Sequence, residues 1–329
     1  RATPLYSSAA SDVYKRQRST VRNYMIRRAV HSVLIVLALM ALLFFAVNIL
    51  GDPVTLLVEE DASQEAIEAL QKKMGFDRPL HVRFGEFYWN LKTLDFGNSL
   101  RHRVEARGMI FDRLPNTVAL AIVAWTLGAL GVPRGMIAAR RPRGVADRVV
   151  NVLSFAVISI PQFWLALMLI LVVALQWGLL PTSGYEGLGP GGWKFIILPA
   201  VALCPRILGR NAQITRATMI DELGKQYVAT ARAKGLSEGV VLRIHVLKNA
   251  SISIVTMMGD ELAGFMNGAV VTEVIFGWPG IGKLLIDAIN ARDLPVVTAA
   301  VFIAALFVMV INFTVDLIFQ WLDPRIAYK

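Results

Sequence analysis

Long apolar runs, each near the length a bilayer demands, alternate along this chain with short polar segments rich in arginine. A spanning helix needs about 20 mainly apolar residues, and about six stretches qualify. They are 25–50, 115–139, 149–176, 193–208 with a polar extension, 250–276 and 295–321. The connections carry charge unequally. Arg27 and Arg28 precede the first span, Arg134, Arg140, Arg141, Arg143 and Arg148 crowd the second connection, and the 206–248 stretch is basic, whereas 178–192 has no Lys or Arg. Short positive loops stay on the cytoplasmic side. The pattern therefore predicts an all-α integral membrane protein with both termini cytoplasmic and residues 51–113 outside.

Composition agrees, with 55% hydrophobic and 18% charged residues against about half apolar and a quarter charged in soluble domains. The net charge of +10 lies in clusters between spans, which argues against nucleic acid as a partner. A single cysteine, Cys204, excludes an internal disulfide framework, and His31, His81, His102 and His245 lack ligand spacing, so no metal site is expected. Residues 1–24 form a polar segment before a credible start at Met25, and are expected to be a non-native or disordered extension. Residues 25–112 then make the first span with its external segment, and 113–329 the core. In the external segment, Ser63 as N-cap, Ile67, Leu70 and Met74 as a helical face, and Gly75 as the stop outline one helix. Phe84, Phe87, Tyr88 and Leu91 outline another, suited either to the membrane interface or to a small packed subdomain.

Polar residues inside the apolar runs are the candidates for chemistry. Asp260, Glu261, Asn267 and Glu273 belong to the fifth span. Intramembrane carboxylates are costly and usually face protein or water. Asp260, Asn267 and Glu273 are thus candidates to line a pathway, with hydrogen bonding to neighbouring helices as the alternative. Asn312 and Asp316 share a face of the sixth span and suit helix–helix contact. Pro133, Pro161, Pro199 and Pro205 are candidate kinks.

The segment Gly277-Trp278-Pro279-Gly280-Ile281-Gly282-Lys283 comes close to a phosphate-binding loop, but Leu284 stands where a Ser or Thr should hold magnesium. ATP chemistry must then reside in a partner. Ile281, Leu284, Leu285, Ala288 and Ile289 give the following stretch one apolar face. Trp278, Gly280 and Gly282 make it a candidate external gate, or else a passive interfacial linker.

The cytoplasmic run 221–248 is too long and too ordered for topogenic charge alone. Tyr227 to Lys234 should be helical, closed by Gly235 in the left-handed position, with Ala229, Thr230, Ala231 and Ala233 as a low-relief surface and Arg232 near its end. The sequence Tyr227-Val228-Ala229-Thr230-Ala231-Arg232-Ala233-Lys234-Gly235-Leu236 resembles the EAA loop of the B-type permease subunit of ATP-binding-cassette importers in the dipeptide/oligopeptide/nickel group. The stretch from Gly268 to Gly282, Asp77-Arg78-Pro79-Leu80, Arg113-Leu114-Pro115-Asn116-Thr117 and Leu322-Asp323-Pro324-Arg325-Ile326 extend the resemblance over about 25–325. Ala229, Thr230 and Ala231 take the E-A-A places, without the acidic residue, and Gly235 takes that of the motif glycine.

The resemblance implies a type I importer transmembrane domain in a prokaryotic inner membrane, with no covalent catalysis of its own. It implies a second homologous permease, two ATPases that bind ATP and Mg, an extracytoplasmic solute-binding protein, and coupling through residues 227–235. An ion-gradient-driven secondary transporter using Asp260 and Glu261 is the alternative.

Overall fold

The structure, a computed structural model, describes residues 5–49, 64–65, 68, 71–72 and 75–322, and the side chains of 5–24, 49, 266–268 and 319–322 lie outside that description. The expected helix of Ser63, Ile67, Leu70 and Met74 and the tail after Leu322 accordingly fall outside the described residues, as does the side chain of the pathway candidate Asn267. Among the described residues, five helices are long and apolar enough to cross a membrane, and a sixth span results if one bent pair is counted as one.

The chain runs α1 (Leu5–Ile49), α2 (Leu80–Thr93), α3 (Ala106–Ala129), α4 (Gly131–Arg140), α5 (Val145–Ser159) and α6 (Gln162–Leu169), the last continued by a π-helical stretch (Ile170–Gln176). Then come α7 (Trp193–Leu223) and α8 (Gln226–Ala233). The short α9 (Glu238–Val240) passes through a second π stretch (Val241–Val246) into α10 (Leu247–Ile275), followed by α11 (Ile281–Asn290) and α12 (Leu294–Leu322). Helix α1 begins at Leu5 and runs into the first span without a break. No Gly or Pro interrupts residues 5–49, and extending an existing helix is far easier than nucleating one. Its membrane-length apolar part is Met25–Asn48.

Two prolines behave differently from two others. Before Pro161 the backbone is extended (Ile160 φ −73°, ψ 123°), because the ring disfavours helical geometry in the preceding residue. The kink expected at Pro161 in the third span is a sharp one, with α5 and α6 bent by 91°. Pro133 falls in the first turn of α4, just past the break at Leu130, where a missing N–H costs little. Pro199 and Pro205, in contrast, lie inside an uninterrupted α7. Packed neighbours let a membrane helix tolerate the lost hydrogen bond.

Helix α7 is the hub, packed by α3, α4, α5, α6 and α10. Glycines allow the approach. A Cβ on Gly128 would lie 2.4 Å from Ile207 Cγ2, one on Gly131 2.2 Å from the Leu208 carbonyl oxygen, and one on Gly135 2.5 Å from that of Ala212. Spaced three and four apart, they form a backbone-close stripe of the small-residue kind that membrane helices use. In the first turn of α5, Asp147 is buried, pairs with Arg216 of α7 and accepts the Arg143 amide at 2.7 Å.

Helix α12 packs on α1, α3, α10 and α11. Arg28 of α1 reaches Asp316 of α12 at 2.5 Å, the helix–helix contact expected of Asp316. Phe84 and Phe87 of α2 pack against Phe44 of α1 at centroid distances of 5.2 Å, and the Tyr88 hydroxyl donates to the Leu37 carbonyl at 2.6 Å. The aromatic face of α2 thus packs directly on the membrane-length part of α1.

Candidate functional site

Three polar constellations stand out, one at each end of the helical bundle and one between. At the 221–248 end, α8 matches the expected helix to within a residue. Its closure is a Schellman motif: Gly235 has φ +79°, its amide donates to the Arg232 carbonyl at 2.9 Å, and the Leu236 amide donates to that of Ala231 at 3.4 Å. Val228 and Ala231 are buried in a cluster with Met219, Val241 and Val246. The half-buried Tyr227 donates to Glu222 at 2.5 Å, and Lys225 donates to the same carboxylate at 2.6 Å. Burial first, and the bond to Glu222 second, push the Tyr227 hydroxyl above its ordinary value.

Tyr227 and Ala231 therefore seat the helix rather than face outward. The exposed face is Ala229, Thr230, Arg232 and Ala233. The acidic residue absent from the E-A-A places has a counterpart across the glycine turn, where Arg232 pairs with Glu238 at 2.7 Å.

At the opposite end of α10, the Gly277–Lys283 segment does bind an anion, but one of the chain's own. Glu273 is fully buried and accepts from the Thr117 hydroxyl at 2.8 Å and the Lys283 amide at 3.0 Å, with the Gly282 amide also on it. Thr117 in turn accepts from the Ile281 amide at 2.8 Å. A carboxylate thus occupies the N-terminus of α11, where free amides and the helix dipole favour negative charge. A Cβ on Gly280 would lie 2.0 Å from Glu273 Oε1, and one on Gly282 2.8 Å from Val270 Cα. These glycines make room for the carboxylate and for helix packing.

Trp278, also buried, donates its indole N–H to the Asn116 carbonyl at 3.0 Å, while the Asn116 side chain donates to the Pro279 carbonyl at 2.9 Å. Tyr185 donates to Asn116 at 2.7 Å and meets the Trp278 ring edge-on at 5.2 Å. Glu273 sits inside this knot, held by its neighbours, with the three gate candidates around it. Asn116, Thr117 and Tyr185 were missed as site residues, although the Arg113–Thr117 motif carried the first two. Helix α11 packs its apolar face inward through Ile281 and Ala288, leaving Ile289 half exposed.

Between these ends lies a cleft of about 390 Å³ lined by Gln162 and Phe163 of α6, Arg206 and Arg210 of α7, and Asp260 and Glu261 of α10, among others. Glu261 is 7% exposed and faces Arg210 at 2.5 Å. Asp260 and Arg206 are exposed to the cleft. Gln162 donates to Thr272 at 2.6 Å, so one wall of the cleft is tied to the residue beside Glu273.

A bundle of crossing helices with a charged internal cleft and a small-residue helix on a loop defines a membrane transport component. Residues 131–328 match the family described as binding-protein-dependent transport system inner membrane component, and residues 21–121 match the N-terminal model of the same class; the chain belongs to this family. It is a permease of the peptide/nickel group of ATP-binding-cassette importers.

Among individual proteins it is 37% identical over 313 residues to the oligopeptide transport system permease protein AppB of Bacillus subtilis (strain 168), covering 93% of this chain and 99% of the relative. It is 35% identical over 309 residues to the glutathione transport system permease protein GsiC of Escherichia coli (strain K12), covering 93% and 99%. The fold is also that of the inward-facing MetNI methionine ABC transporter, with a TM-score of 0.52 at 18% identity, covering 65% of this chain and 96% of that one.

Proposed function

We propose that this permease forms half of the translocation pathway of an ATP-driven importer of short peptides and couples to a separate ATPase through α8. The observation that carries the proposal is the form of α8. Buried Val228 and Ala231 fix it to α7 and α10, and the outward face is nearly flat. A partner pressing on that face moves α7 and α10 together, and these two helices carry the charged cleft. The rest of the assembly is a second homologous permease, two ATPases holding ATP and Mg, and an extracytoplasmic solute-binding protein. Both termini lie in the cytoplasm of a prokaryote, as the arginine-rich connections direct. The chain supplies no ATPase site of its own. Differences in partner binding between two conformations would shift the cleft from inward to outward access.

The peptide assignment rests on the transport of oligopeptides and glutathione by the relatives and on a cleft that offers both signs of charge. Affinity purification of the tagged permease, followed by uptake in the presence of a protonophore or after ATP depletion, tests the reading. An ATPase subunit should co-purify and uptake should stop with ATP depletion. Uptake abolished by the protonophore and indifferent to ATP would instead place the driving force in an ion gradient acting through Asp260 and Glu261.

A further inference from the structure

We infer that the cleft between α6, α7 and α10 is a subsite for the two charged ends of a peptide, with Arg206 receiving the carboxylate and Asp260 the ammonium. The inference deepens the peptide-import reading and rests on it. Arg206 and Arg210 lie near the middle of the span Trp193–Leu223, and Asp260 and Glu261 lie within the span Glu238–Phe265. Charges at such depth are retained where they pair or face a polar cavity.

Arg210 and Glu261 answer each other at 2.5 Å. Arg206 and Asp260 are the remaining opposite charges of the same cleft, and among the described residues neither makes a hydrogen bond or ion pair. The cleft therefore presents one guanidinium and one carboxylate without a hydrogen-bond or ion-pair partner, on different helices, Arg206 reaching Glu261 only as a longer-range charge, with Gln162 as a neutral polar neighbour anchored to Thr272. A free peptide carries the complementary pair at its two ends. A solute of single charge would leave one of the two residues uncompensated, and a neutral solute would leave both. Because the two residues belong to α7 and α10, a change in the spacing of those helices alters both contacts together. That gives the cleft a grip that differs between the two states of the importer.

The test uses the complete importer, with its partner permease, ATPases and binding protein, in proteoliposomes. The probe is a defined mixture of free di- and tripeptides, each followed by mass spectrometry. Asp260→Asn and Arg206→Gln should each lower uptake about tenfold, the equivalent of one charge-assisted contact, with melting temperature retained. Asp260→Glu and Arg206→Lys, which keep the charge, should recover most of it. For the same peptides carrying C-terminal amides, Arg206→Gln should cause no further loss.

Uptake by both neutral variants within twofold of the parent would overturn the subsite. So would a loss that comes with lowered melting temperature and is not restored by the charge-conserving variants. Failure of the unaltered importer to take up any peptide would instead overturn the peptide reading, and the subsite with it.

Discussion

Replacing Gly280 with alanine probes the Glu273 knot through a single methyl group. The backbone at Gly280 is extended, with φ −98° and ψ −177°, a conformation open to any residue, so conformational strain plays no part. The added Cβ would fall 2.0 Å from Oε1 and 2.2 Å from Cδ of Glu273, well inside contact distance. The carboxylate must move, and it cannot move without loosening its bonds from Thr117 and from the Gly282 and Lys283 amides. A hydrogen bond to a charged group contributes about 1.5–3 kcal/mol. Partial loss of these contacts, offset by relaxation, sets the expected destabilisation at about 3 kcal/mol.

Glu273→Asp withdraws the carboxylate by one methylene and makes room for the methyl. The double variant should accordingly be less destabilised than the sum of the two single ones, a coupling of about 1 kcal/mol or more. Thermal unfolding of the purified permease in detergent, followed by tryptophan emission, measures all three. A Gly280→Ala protein that melts with the parent, or strictly additive single and double variants, would refute the role given to this glycine.

Other outcomes follow from the same structure. Gly131→Ala would place a Cβ 2.2 Å from the backbone oxygen of Leu208; because backbone cannot swing aside, it should cost about 2–3 kcal/mol in the same unfolding assay, while Gly85→Ala, inside α2 with nothing within 4 Å, should cost nothing and gain up to about 1 kcal/mol of helix propensity. The Tyr227 hydroxyl, raised above its ordinary 10.0 by burial and by its bond to Glu222, keeps its proton in the folded state where the unfolded chain loses it. Its contribution is therefore full below about pH 10 and is lost as pH rises through the higher folded value. Tyr227→Phe should remove that alkaline component from the pH profile of α8 proteolysis, and an unchanged profile would count against it.

The spans were legible because apolar length is a blunt requirement of the bilayer, and their packing partners were not. Helix α8 and its Gly235 closure could be read residue by residue, since capping is local chemistry. Which of its residues faced inward could not, because Ala229 and Ala231 are chemically identical and only packing against α7, the π stretch and α10 buries one of them. Pro161, Pro199 and Pro205 read alike as candidate kinks, yet Pro161 bends the chain sharply while Pro199 and Pro205 are absorbed by the neighbours of α7. Glu273 was marked as unusual by its type and place. Its hydrogen-bond partner Thr117 lies 156 residues away, so no local pattern could show that the near-phosphate loop encloses the chain's own carboxylate. Asp260 and Glu261, adjacent in sequence, differ through contact alone, since only Glu261 meets Arg210.

The coupling role of α8 is tested most directly by tryptophan at Ala229 and Ala233, which are one helical turn apart on its exposed face and away from the residues that seat it. In the reconstituted importer, ATP-driven peptide uptake should fall to background in both variants, while membrane insertion and melting temperature stay with the parent, because nothing buried is disturbed. Uptake at the parent's rate in correctly inserted Ala229→Trp and Ala233→Trp proteins would contradict the claim that this face receives the ATPase.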